Sequence, residues 1–162
     1  MSRVSITPLY DSLHNDAIKR LLSDEPGYES LVLRGHLLVE RALGILINGA
    51  LAHPDRLDDT RRLAFDQKIA LAEALGVVPG PYAAAIKGLN RLRNAIAHRD
   101  GYAPTLNDLL GLRLDWDGAF EARLRREFTD DPGEAINSAI PFLVWTCFEL
   151  VDTFERKKVR QP

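Results

Sequence analysis

At 162 residues the chain is the size of one domain with a substantial core, and its 46% hydrophobic and 27% charged residues are ordinary globular proportions. That balance excludes extensive disorder, and a formal net charge of −2 excludes any global attraction to nucleic acid, so such binding would need a local basic patch. The single cysteine, Cys147, cannot form an internal disulfide and suits a small core residue in a reducing cytosol. The opening MSRVSITPLYDSLH lacks the apolar run of a signal peptide, and the longest apolar run, AIPFLVW at 139–145, is too short to cross a bilayer. A soluble cytoplasmic protein with no membrane partner is the expectation.

The pattern is helical almost throughout. Leu9, Leu13, Ala17 and Leu21 recur every four residues, a first helix that ends near DEPG. YESLVLRGHLLVERALGILINGAL, 28–51, is apolar on most sides and reads as a central helix. On it Arg34, Arg41 and Asn48 fall seven apart, and His36 and Glu40 sit one turn apart. After the loop HPDRLDD, a third helix covers RRLAFDQKIALAEALG, with Leu63, Ile69, Ala70 and Leu75 toward the core and Gly76 as its terminator. Pro81 opens a fourth helix, which runs to about His98 on a core stripe of Tyr82, Ile86, Leu89, Leu92 and Ile96. Gly101 ends it. Thr105 caps one short turn, and LRLDW is open to an extended reading, although five residues do not make a sheet. GAFEARLRREF is a short amphipathic helix with Phe120, Leu124 and Phe128 one turn apart. The last helix starts at Asp131, with Pro132 in the first turn and Glu134 closing a capping-box-like pair. Ile136, Ile140, Leu143, Cys147, Val151 and Phe154 form its seam, and Pro141 should kink it. Without repeats or a boundary, 1–162 reads as a single all-α domain, an antiparallel helical bundle with a frayed tail at 156–162.

One stretch carries chemistry: RLRNAIAHRDG, 91–101. At about 100° per residue from Leu89, Arg93 lands near 40°, on the shoulder of the core stripe, while Asn94 and His98 land near 140° and 180°. Arg93 thus leans over a groove edge, held by its stem. His98 points away from its own bundle, so a second copy brought by a two-fold axis is the simplest wall to enclose it. These residue types suit cleavage of an RNA phosphodiester. A His moves protons near neutral pH, an Arg offers planar donors to a phosphate, and Asn94 can orient either. Lys87, Arg91 and Arg99 would add a patch that tracks the RNA backbone. Spacing alone is weak, since with 16 Arg and four His such an Arg–His interval arises roughly once by chance.

RNAIAH on the penultimate long helix resembles the HEPN superfamily, whose nuclease members carry an Arg, a polar residue, a few more residues and then His. LAFDQKIALAEALG before LNRLRNAIAH is also similar to the HEPN-like bacterial proteins grouped with mannitol operon repressors. The resemblance covers residues 28–98. It implies a helical bundle, usually dimeric, with two Arg–His pairs meeting in a cleft. In the nuclease branch it implies metal-independent RNA cleavage through a 2′,3′-cyclic phosphate. His98 would then be the acid/base, Arg93 the phosphate ligand and Asn94 the assisting residue. The mannitol-repressor-like branch is not an established nuclease group, which leaves two readings. One is a homodimeric HEPN-type endoribonuclease, acting as the toxin of a toxin–antitoxin or defence pair with a cognate antitoxin protein. The other is a non-catalytic regulatory interaction module.

Elsewhere, His36 and Glu40 are expected to form a hydrogen-bonded pair that supports the cleft. Trp116, Trp145 and Phe142 are expected in the core, and ERKKVR at 155–160 as a solvated tail. His14 and His53 lack partners at ligand spacing, so no metal site is expected. No cofactor is expected, since glycine-rich phosphate loops and Gly-x-Ser-x-Gly elbows do not occur.

Overall fold

The computed structural model describes residues 16, 18–24, 27–57, 62–112 and 118–160. Its helices are α1 (18–22), α2 (Tyr28–Ala50), α3 (Phe65–Ala74), α4 (Gly80–His98), α5 (Leu106–Leu110), α6 (Gly118–Asp130) and α7 (Pro132–Arg160), with a 3-10 turn at Pro54–Arg56. There is no strand among the described residues, so the all-α bundle of the sequence reading is the fold. Leu9, Leu13, Ala17, His14, Trp116 and most of LRLDW lie outside the described residues.

Buried side chains of α2, α4 and α7 build a common core: Val39, Leu43 and Leu46 from α2, Ile86, Leu89 and Leu92 from α4, and Ile140, Leu143 and Val144 from α7. Dispersal of this apolar surface from water drives the assembly. Two glycines let α2 and α7 approach closely. A Cβ on Gly35 would sit 2.5 Å from Ile140 Cγ2, and one on Gly49 2.6 Å from Phe154 Cε1. These paired positions also fix the direction: α7 runs alongside α2 in the same sense. α4 runs opposite to α2, since His36 meets Asn90 while Tyr28 Oη donates to the Tyr102 carbonyl at 3.0 Å. Arg34 ties α1 to α2 by donating to the Ser23 carbonyl (2.7 Å) and Ser23 Oγ (3.2 Å).

Helix ends follow local chemistry. Gly76 takes φ +71° past the end of α3, a left-handed conformation that costs glycine little. Thr105 caps α5, and Asp131 Oδ1 accepts from the Gly133 amide at 2.8 Å at the start of α7. The α7 seam is as read, and burial pushes the Cys147 thiol up to about 12, leaving it an inert core group. α7 has the length and composition of a membrane span, with mean hydropathy 1.2 in its most apolar window, but its seam is turned into the bundle.

Two core assignments change. Trp145 is 48% exposed, because it lies two residues, about 200°, from both Leu143 and Cys147. It stacks on the half-buried Phe142 with centroids 6.5 Å apart. Ala70 is exposed, because α3 buries Lys68, Ile69 and Ala72 instead.

α4 also touches α5 backbone to backbone. A Cβ on Gly88 would lie inside the van der Waals envelope of the Gly111 carbonyl and 3.0 Å from the Leu112 Cα, with no flexible side chain to yield. Gly88→Ala should therefore destabilise by about 2 kcal/mol, an overpacking cost. A chain of this size would lose roughly 4–8 °C in Tm, and thermal unfolding followed by circular dichroism checks it. An unchanged Tm would show that α5 does not rest on α4.

Candidate functional site

The C-terminal half of α4 carries the site, and its rotation is set by an apolar side and a polar side. Leu89 and Leu92 fix the core face. On the flank, Asn90, Arg93 and Asn94 fall within about 100° of one another at helical spacing, so they form one polar strip. Arg93 is half-buried and its Nη1 donates to Asn94 Oδ1 at 3.0 Å. That is the one hydrogen bond of the guanidinium among the described residues, and no carboxylate pairs with it there. The pair therefore presents donors, the remaining guanidinium N–H groups and the Asn94 amide, without a compensating negative charge.

His98 is the last residue of α4. It is exposed and makes no hydrogen bond or ion pair among the described residues. The turn that follows it is firmly held. Asp108 accepts from Tyr102 Oη (2.6 Å), the Thr105 amide (2.7 Å) and Thr105 Oγ1 (2.8 Å). Burial alone would raise the Asp108 carboxyl, but these hydrogen bonds outweigh it and hold the group below its ordinary value. His98 is thus carried on a fixed helix end, although its own side chain is free.

The three other basic candidates are partly engaged. Lys87 pairs with Glu73 at 2.7 Å, Arg91 Nη2 reaches the Gly111 carbonyl at 3.5 Å, and the Arg99 guanidinium lies 5.4 Å from the Tyr102 ring centre. Such exposed contacts are weak and can be exchanged for a phosphate.

His36 and Glu40 are part of a larger cluster than the sequence reading placed around them, and they do not bond to each other. His36, 7% exposed, shares a hydrogen bond of 3.1 Å with Asn90 Oδ1 and stacks on Phe65 with centroids 4.0 Å apart. Asn90, 8% exposed, donates through Nδ2 to Asp66 Oδ1 at 2.9 Å. Glu40 takes the buried Lys68 ammonium at 2.5 Å. The chemistry fixes the imidazole. A carboxylate only accepts, so Asn90 donates to Asp66 with its nitrogen and must accept with its oxygen. His36 accordingly carries its proton on Nε2. Asn90, Asp66, Lys68 and Phe65 were missed by sequence reasoning. The signal for Asn90 was its place one turn before Asn94, between the core stripe and solvent.

Burial lowers the His36 pKa from 6.5, and the Arg93 charge adds to that, against the Asn90 hydrogen bond and the Glu40 charge, which favour protonation. Between the lowered folded value and 6.5 the unfolded chain binds the extra proton. This contribution to stability is therefore complete above pH 6.5 and is lost as pH falls through that window. Expected is a fall in Tm between pH 7 and pH 5 that shrinks in His36→Asn. Equal slopes in the two proteins would show that His36 is not the group responsible.

Among the described residues no three His, Cys, Asp or Glu side chains gather as a metal site would require. Comparison with protein-family models, with curated proteins and with solved structures finds no match.

Proposed function

We propose that the protein is a homodimeric HEPN-type endoribonuclease that cleaves RNA without a metal ion. The observation that carries this reading is the Arg93–Asn94 pair, rich in donors and free of a facing carboxylate, one helical turn from an unpartnered His98 on the same helix end. Arg93 and Asn94 hold the scissile phosphate and the charge that grows on it, and His98 transfers a proton. Lys87, Arg91 and Arg99 exchange their present contacts for flanking phosphates. His98 stands open to water, so a second copy of α4 across a two-fold axis closes the cleft. A cognate antitoxin protein, if this is the toxin of a toxin–antitoxin or defence pair, would act by covering that face.

The runner-up is a non-catalytic regulatory module that offers the same face to another protein. It draws support from the engagement of Lys87 with Glu73 and from the net charge of −2, both of which weaken an RNA track. Purified protein, shown by light scattering to be dimeric, should cut a mixed RNA pool in the presence of EDTA. Intact RNA from a confirmed dimer, with several RNAs tried, hands the function to the runner-up. A monomer at tens of micromolar removes the enclosed site.

A further inference from the structure

Next to the donor strip lies an acceptor. The Asp66–Asn90–His36 chain commits Nε2–H of His36 to Asn90, so the neutral ring keeps its lone pair on Nδ1. Nδ1 has no hydrogen-bond partner among the described residues. Glu127 Oε2 is the one fully enclosed unpaired side-chain atom among the described residues, and His36 keeps 7% of its surface exposed. The ring is held on three sides: Phe65 of α3 stacks on it, Asn90 of α4 anchors it, and α2 carries it. Asn90 is one turn before Asn94 and less than one turn before Arg93, which places the anchor of the ring on the same flank of α4 as the donors, close enough for the Arg93 charge to act on the ring.

We propose that His36 is a specificity-determining residue that accepts a hydrogen bond from a ribose 2′-hydroxyl while Arg93 and Asn94 donate to the adjoining 3′-phosphate. A ribose 3′-phosphodiester carries one hydroxyl donor beside a cluster of acceptor oxygens, the complement of this arrangement. A deoxyribose lacks the donor, and 2′-OH contacts are how proteins tell RNA from DNA at one position. Asn90 and Asp66 serve as positioning residues, fixing which ring nitrogen holds the proton. The inference rests on the reading of this α4 face as an RNA site, but it does not require that the RNA be cut.

Protonation would convert Nδ1 from acceptor to donor and end the discrimination. The groups that face the ring are Glu40 on α2, Asp66 and Lys68 on α3, and Arg93 on α4. Burial and Arg93 keep the ring neutral at pH 7, so the loss falls below pH 6.5.

The test measures binding of a short RNA, the same sequence as DNA, and the RNA with 2′-O-methyl groups, with the full-length His98→Ala protein used to suppress cleavage. At pH 7.5 the RNA should bind about three- to ten-fold more tightly than the DNA or the 2′-O-methyl strand, the worth of one hydrogen bond. The ratio should fall toward one as pH drops below 6.5 and through the lowered His36 value, with folding verified by circular dichroism at each pH, and should be near one in His36→Phe at every pH. The strand comparison needs no change at His36, so it decides the matter even if His36→Phe does not fold. A ratio near one at pH 7.5, a ratio that His36→Phe leaves intact, or no binding of any strand overturns the proposal. Ribose discrimination by a wild-type protein that cuts no RNA would sink the nuclease reading and leave this one standing. Cleavage without discrimination would do the reverse.

Discussion

Leu89→Asp should unfold the protein. Leu89 is fully buried at the centre of the α4 stripe, packed in the core shared with α2 and α7. The substitution removes a side chain whose burial stabilises by about 2 kcal/mol and puts a carboxylate where no partner stands. A buried unpaired charge costs several kcal/mol more, so the sum approaches the roughly 5–15 kcal/mol stability of a whole domain. Circular dichroism should show loss of the cooperative thermal transition, and His98→Ala, at an exposed helix end, should keep it. Equal melting temperatures for Leu89→Asp and wild type would mean that α4 is rotated from the orientation described.

The helix phases were legible in the sequence because core residues repeat at helical spacing. Leu89 and Leu92 on α4, and Ile140, Leu143 and Cys147 on α7, lie where their periodicity puts them. Caps were legible for the same local reason, as Thr105 and Asp131 show. Trp145 was not, because aromatic size suggests burial while its angle on α7 says otherwise. The parallel run of α7 beside α2 was not either. It depends on close approach at Gly35 and Gly49, and no local pattern tells which distant helix a glycine will meet.

The site divides in the same way. Arg93, Asn94 and His98 lie within about 8 Å along one helix, at roughly 1.5 Å of rise per residue, so one sequence window holds them. Their orientation follows from the phase of Leu89. The partners of His36 and Glu40 come from α3 and α4, at sequence separations of 28 and 54 residues. Lys68 is 3% exposed and satisfied by the half-buried Glu40, a partly buried ion pair that the polarity of FDQKI argues against until α3 is docked. Polar residues in contact across helices leave no periodic trace, so the cluster is visible only in the folded chain.

If the proposed nuclease site is right, His98→Ala should abolish cleavage and leave RNA binding nearly intact, because in that reading the imidazole moves a proton and the donors that grip the phosphate are Arg93 and Asn94. Arg93→Ala should weaken both, since in the same reading the guanidinium holds the phosphate before and during reaction. General acid–base transfer contributes about 10²–10⁴-fold to rate, and loss of one donor to the developing charge costs about 10²–10³-fold. Both variants should therefore fall by at least about two orders of magnitude. Arg93→Lys should rescue little, because an ammonium lacks the planar fork that donates to Asn94 and to a phosphate together. Arg91→Ala, whose present contact is a 3.5 Å reach to the Gly111 carbonyl, should cost a modest, salt-sensitive part of binding. Single-turnover rates and binding isotherms at two salt concentrations separate these effects.

The central claim is tested most directly by the ends of the RNA fragments released in EDTA by wild type and by His98→Ala, prepared identically and matched for dimer content. Wild type should release fragments with 2′,3′-cyclic or 3′-phosphate ends, and His98→Ala should release none above background. Equal cleavage by the two proteins, or none by a dimeric wild type, would contradict the assignment of His98 and Arg93 as a nuclease site.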